Sequence, residues 1–264
     1  MRTWCIANQK GGVGKTTSTL AIGACLAARG FRTLLVDLDP HASLSRWLEV
    51  PEEPSPVGVY ELFTESPPPL VTLSRPSGQA GLDLLPGQPA LATLERQSAS
   101  RQGLGRALVR AFAGQHRYDY ALLDCPPTLG VLMVAALAAA DALIIPTLTE
   151  PLALHGLSAM LRTADMVQRS RGAPVPAWIV PTLYDKRTRA ACDSLAELRS
   201  RHGSAVWDEE IPVDTRLREA SRQALTPQAM DAGARGASAY TRLTDWLLRS
   251  ELQAANPPQA SAQS

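Results

Sequence analysis

Residues 8–17 read NQKGGVGKTT. The stretch holds two lysines, Lys10 and Lys15, where a loop that cradles a nucleotide needs one. The usual phosphate loop is G-x-x-x-x-G-K-[ST]. Gly14, Lys15 and Thr16 fill its end, but its first glycine falls on Gln9. The chemistry survives this mismatch. Gly11, Gly12 and Gly14 permit a tight turn that aims backbone N–H groups at phosphate oxygens. A helix starting at Thr16 adds the positive end of its dipole. Lys15 is placed for the β- and γ-phosphates, the Thr16 hydroxyl for Mg²⁺ and Thr17 for the α-phosphate. With Val13 inside the turn, residues 11–17 form the expected nucleotide-binding loop.

Lys10 needs a use outside its own loop. Of 26 basic residues only Lys10, Lys15 and Lys186 are lysine, so two of the three sit in one six-residue stretch. At the start of the loop a side chain can point outward. A compact positive charge there can act in trans, neutralising charge on the phosphoryl group of a facing subunit. A finger of this kind is worth roughly 10³–10⁵ in rate.

Outward from the loop, the pattern is one of alternation. RTWCIA leads into the turn, a helix fits 16–29 with Gly30 as its stop, and RTLLVD, YDYALLD, DALIIPTL and PAWIVPTLYD read as buried strands. Helical stretches at about 129–140, 153–171 and 188–201 separate the later strands. Alternation of this kind predicts an α/β fold: one doubly wound, mostly parallel sheet with helices on both faces. The proline-rich segment 51–88 reads as irregular, with a short helix at GVYELF and a strand at LDLLP. The expected organisation is one ATPase domain over 1–252 and a disordered tail over 253–264.

Composition sets further bounds. The 264 residues carry a formal net charge of +1, so nucleic-acid binding must come from a local patch. Cys5, Cys25, Cys125 and Cys192 show no metal spacing and read as reduced. No apolar run reaches the ~20 residues that cross a bilayer. The expectation is a cytoplasmic protein.

VDLDPH and LLDCPP end two of the strands, where ligands bind in open α/β sheets. KGGVGKTT with LLVDLDP, DYALLDCPP, DALIIPTLTEPLALHGL, YDKRT and IPVDTRLREA resembles the deviant Walker A ATPases of the ParA/MinD family over about residues 2–250. The resemblance implies an ATP-driven sandwich dimer in which the lysine corresponding to Lys10 crosses between subunits. It implies that Asp39 positions the attacking water, that Asp37 lies near the Mg²⁺ shell, and that Asp124 is the Walker B acid holding Mg²⁺ through water. His41 stands where many relatives carry glutamine; it either tunes the water site or fills the glutamine's place. Cys125 is read as structural, because the second cysteine of an iron–sulfur relative is missing.

The resemblance also implies a nucleoid-associated switch. Phosphate contacts map onto Arg187 and Arg216, with Lys186, Arg189, Arg218 and Arg222 beside them. Each subunit offers few contacts, so dimerisation would make binding to double-stranded DNA ATP-dependent. Adenine is expected between the VPTLYD strand end and the IPVD loop, at Pro212 and Asp214. Glu150 and Leu154 are expected at the homodimer contact. The cargo would be a partition complex or a chemotaxis array, with a ParB-like or ParP-like activator. The alternatives are a MinD-type regulator on a membrane or protein partner, which the final segment disfavours, and a metabolic ATP-dependent ligase on the same fold.

Overall fold

The computed structural model describes residues 1–98, 101–172 and 174–255. Seven strands form one sheet: β1 (Arg2–Ile6), β2 (Thr33–Asp37), β3 (Arg75–Pro76), β4 (Leu82–Leu85), β5 (Tyr120–Asp124), β6 (Ala142–Leu148) and β7 (Ala177–Thr182). Their order is β3-β4-β2-β5-β1-β6-β7. All pairings are parallel except that of the two-residue edge strand β3 with β4. The helices in the first half are α1 (Lys15–Ala28), α2 (Ser43–Trp47), α3 (Leu70–Leu73), α4 (Leu91–Gln97) and α5 (Ala107–Phe112). Those in the second half are α6 (Val131–Ala139), α7 (Pro151–Arg171), α8 (Arg189–His202), α9 (Thr215–Arg222), α10 (Pro227–Asp231) and α11 (Arg235–Ala255).

The strands are buried on both faces, which is why they read as continuous apolar runs rather than alternating ones. Cys5, Leu34, Val36, Ala121, Leu123, Leu143 and Ile145 point into one core layer. Trp4, Ile6, Leu35, Leu122 and Ile144 point into the other, with Leu20, Leu26, Tyr240, Leu243 and Leu247 of α1 and α11. Glu251, buried near the end of α11, accepts hydrogen bonds from Arg2 Nε, Trp4 Nε1 and Tyr120 Oη. It ties that helix to the first and fifth strands.

The observed elements refine the expected ones. GVYELF holds a 3-10 turn over Val59–Phe63 rather than an α-helix. Helix α7 starts at Pro151, whose ring suits a first turn that needs no N–H donor. Helix α11 runs to Ala255, three residues into the stretch expected as tail, because Glu251 and its partners extend the packed face. The remainder of that stretch lies outside the described residues. Helix α9 and the packing role of α11 were not anticipated. At the β7 edge, Trp207 N donates to Ile179 O and Ile211 N to Pro181 O, so residues 206–213 cover that side of the sheet.

Candidate nucleotide-binding site

Strand β1 lies between β5 and β6, and the chain leaves it toward β2 on one side while β6 continues on the other. Its carboxyl end is therefore the crevice where open α/β sheets bind ligands. The glycine turn occupies that crevice. Gly12 and Gly14 have φ of 73° and 88°, with no atom within 4 Å of where a side chain would start. The left-handed backbone demands glycine there, and the open space beside it is a cradle. Gly14 caps α1, which has no side-chain cap of its own. Its first N–H groups are left for an anion.

Neighbouring elements hold the loop in place. Asn8 donates to Pro146 O at 2.8 Å and accepts from Lys10 N at 3.0 Å. Gln9 donates to Thr163 of α7. Thr182 at the end of β7 donates to Val13 O at 2.9 Å. Val13 itself is fully buried and anchors the turn, offering a ligand only its backbone. Asn8 and Thr182 were missed in the sequence, since a lone polar residue at a strand end carries no spacing signal.

The two lysines point to different places. Lys15 is buried, and its Nζ donates to Lys10 O at 3.2 Å across the mouth of the turn. Burial lowers its pKa, against the opposing pull of Asp124. Lys10 turns outward and pairs with Glu150 at 3.1 Å, on a carboxylate side chain that is 61% exposed.

Asp124 ends β5 and is buried. It accepts from Thr16 Oγ1 at 2.7 Å and from Thr19 Oγ1 at 3.3 Å. The Thr16 hydroxyl and the Asp124 carboxylate form a hard oxygen pair suited to Mg²⁺. No cluster of three or more acidic, His or Cys residues among those described could hold a metal by itself, so phosphate oxygens and water would complete the shell. Asp37 is the cross-strand neighbour of Asp124. Burial raises the pKa of both; the neighbouring Asp37 carboxylate raises Asp124 further, and Asp39 raises Asp37.

Asp37 neighbours Asp124, but its oxygens are taken up by the residues that follow it. It is fully buried, and its oxygens accept from Ser45 N at 2.8 Å, Ser45 Oγ at 2.7 Å and Asp39 N at 3.2 Å. It holds the loop that carries Asp39. Asp39 in turn accepts from His41 N at 2.9 Å and is only partly buried, at the mouth of the site. Cys125 is buried, 3.4 Å from Cys5, a packing pair as expected.

Leu154 is a correction. Its side chain lies in the core at 6% exposure, because the helix starts at Pro151 and this phase turns Leu154 inward. Leu152, 78% exposed, and Leu129, 56% exposed, are among the apolar residues exposed to solvent. Tyr184 N donates to Ile211 O, and Val213 N to Tyr184 O, so backbone bonds join the strand end to the IPVD loop. A cavity of about 790 Å³ opens beside them, lined by Tyr184, Pro212 and Asp214 together with Lys186, Arg187 and Arg235. Asp214 caps α9 through Arg216 N and accepts from Gly236 N, so both carboxylate oxygens serve the backbone.

Of the basic residues expected at a DNA-binding face, Lys186 and Arg187 line that cavity and Arg189, Arg216, Arg218 and Arg222 do not. Arg187, Arg189, Arg216, Arg218 and Arg222 are exposed, as is Lys186. Arg187 is held in a fork by Asp185, at 2.8 and 2.6 Å, which draws the Asp185 carboxyl down to about 2. Arg189 lies 3.6 Å from Asp193.

A glycine turn at the crevice of a doubly wound sheet, with a lysine, a threonine and a buried strand-end aspartate converging on it, defines a P-loop nucleotide-binding protein. Residues 1–174 match the AAA_31 family model, an AAA domain. The chain is 35% identical over 250 residues to the chromosome partitioning protein ParA of Caulobacter vibrioides, covering 92% of each chain. It is 34% identical over 240 residues to the sporulation initiation inhibitor protein Soj of Bacillus subtilis, covering 90% of this chain and 94% of that one. The solved structure of cobyrinic acid a,c-diamide synthase from Mycobacterium smegmatis with bound ADP and magnesium superposes with a TM-score of 0.81. It is 34% identical and covers 96% of each chain. The chain belongs to the ParA/MinD family of P-loop ATPases.

Proposed function

We propose that this protein is an ATP-driven positioning switch: a slow ATPase that dimerises on ATP, binds double-stranded DNA without sequence preference, and releases it after partner-stimulated hydrolysis. The observation that carries the reading is the divergence of the two lysines. Lys15 faces its own cradle, whereas Lys10 is turned out to an exposed carboxylate, the orientation a charge needs to serve a facing subunit. Exposed Leu129 and Leu152 supply apolar surface for that contact.

In this reading Lys15 and the N–H groups of the turn bind the phosphates. Thr16 and Asp124 hold Mg²⁺, which neutralises phosphate charge. Asp39 orients the attacking water, and Lys10 of one subunit stabilises charge on the phosphoryl group bound by the other. The arginine loops of two subunits then form one DNA-binding face, so affinity follows the dimer. A ParB-like or ParP-like protein would stimulate hydrolysis, the cargo being a partition complex or a chemotaxis array, on the nucleoid in the cytoplasm.

A second reading, a ligase on the same scaffold, draws on the name of the Mycobacterium smegmatis structure. Binding to random-sequence duplex DNA tests the first. DNA binding with ATP, absent with ADP and weakened by salt, supports the switch; binding in no nucleotide state overturns the DNA part of it and moves the switched surface to a protein partner.

A further inference from the structure

The two loops that carry the acidic residues of the site are joined by a third segment. Asp37 accepts from Ser45 Oγ at 2.7 Å, and Gly87 N donates to that same Ser45 Oγ at 2.9 Å. Gly87 follows β4 after Pro86 and leads through residues 88–90 into α4. At the far end of α4, Glu95 accepts from Val131 N at 2.8 Å and from Leu132 N at 3.2 Å. These are the first N–H groups of α6, the helix that ends the 125–130 loop after Asp124. Helix α6 has Gly130 at its cap position and therefore no side-chain cap of its own. A carboxylate from 36 residues earlier in the chain supplies one.

Both joints are closed tightly around glycine. A side chain starting at Gly87 would meet Asp37 Cγ at 2.8 Å, and one at Gly130 would meet Glu95 Oε2 at 1.9 Å. Gly130 has φ −138° and ψ −168°, an extended conformation open to any residue. Only the approach of Glu95 makes glycine necessary there.

We propose that the segment 86–97 is a strut coupling the Asp39 loop to the loop after Asp124, with Glu95 as the positioning residue at its far joint. The proposal rests on the ATPase reading above and adds a member that touches no nucleotide. Helix α6 is uncapped without Glu95, and the 125–130 loop then loses its fixed end. The disturbance passes through α4 and Gly87 to Ser45 and Asp37, and so to Asp39.

The test compares the full-length chain with Glu95→Gln, Gly130→Ala and the double variant Glu95→Ala/Gly130→Ala. Each is measured for fluorescent-ATP affinity, single-turnover hydrolysis and amide hydrogen exchange. Glu95→Gln is expected to bind ATP within about threefold of the parent and to hydrolyse it at least tenfold more slowly. Its exchange should quicken both at 125–134 and at 37–46. Gly130→Ala should reproduce these changes by displacing the Glu95 carboxylate, and the double variant should be no slower than either single change, because the same joint is lost in all three. Unchanged hydrolysis with unchanged exchange at 37–46 overturns the strut, as does a lowered melting temperature with no change in rate. A parent that hydrolyses no ATP contradicts the ATPase reading instead, and exchange at 37–46 then decides the strut alone. If Glu95→Gln does not fold, the Gly130→Ala and double-variant pair decides.

Discussion

The carboxyl end of the sheet has two halves with opposite electrostatic character. At β1, β2 and β5 Lys15, Asp37 and Asp124 are buried: the two carboxylates accept bonds of 2.7 Å, and Lys15 donates to Lys10 O at 3.2 Å. Around the β7 end the arginines are exposed: Arg187 rests on Asp185 of its own loop, and Arg189 lies near Asp193 one turn along α8. A buried charge needs its partners in place, and losing one leaves an unpaired group in low dielectric. An exposed ion pair contributes little and exchanges readily. The first half thus has a defined geometry, whereas the ion pairs of the second are weak and screened by solvent.

The largest expected effect lies in the buried half. Lys15→Ala should weaken ATP binding at least ~100-fold, since both the phosphate charge and the bond closing the turn are lost; titration with a fluorescent nucleotide measures it. Retained tight binding would remove the contrast altogether. Lys10→Ala should leave that affinity within about threefold while hydrolysis falls by about 10² or more, toward the range for a trans finger. Single-turnover assays check this, and unchanged turnover would return Lys10 to the class of exposed, replaceable charges.

Arg187→Ala should weaken ATP-dependent DNA binding by about tenfold, whereas Asp185→Asn should tighten it about two- to fivefold by freeing the guanidinium. Opposite signs in one fluorescence-anisotropy experiment would sharpen the comparison; equal losses would show Asp185 to be a shaping residue. The smallest effect is on stability. Burial raises Asp37 and Asp124, so the native chain retains protons that the unfolded chain gives up above about pH 4. Without nucleotide, stability should therefore decline as pH rises from about 4 through neutrality. Asp37→Asn should flatten the melting-temperature profile by a few degrees. A profile that rises over this window would mean the two carboxylates are ionised.

The buried half was the more legible in the sequence. Glycine turns, strand-end acids and the helix start follow local chemistry, so Gly14, Lys15, Thr16 and Asp124 fall where short-range spacing puts them. The readings that needed a longer reach fared differently. Leu154 depends on helical phase, and the phase depends on Pro151. Asp37 was counted with the metal ligands because its use is set by Ser45, eight residues on. The bonds between Tyr184 and the IPVD loop depend on how the β7 edge is covered. Glu95 carries no local signal, since its partners are the backbone of a helix defined only once the sheet is assembled. The arginine loops could be located, but not their pairing with Asp185 and Asp193.

The two rims of the sheet bear on how copies of this chain can associate. At one rim the last strand is two residues long and ends in Pro76, which has no N–H to offer a newcomer. At the other, the backbone groups of β7 are engaged by residues 206–213. A second molecule finds no open ladder on either side. Lateral, fibre-like growth is thereby disfavoured, and the proposed ATP dimer would have to form through the loops above the strands.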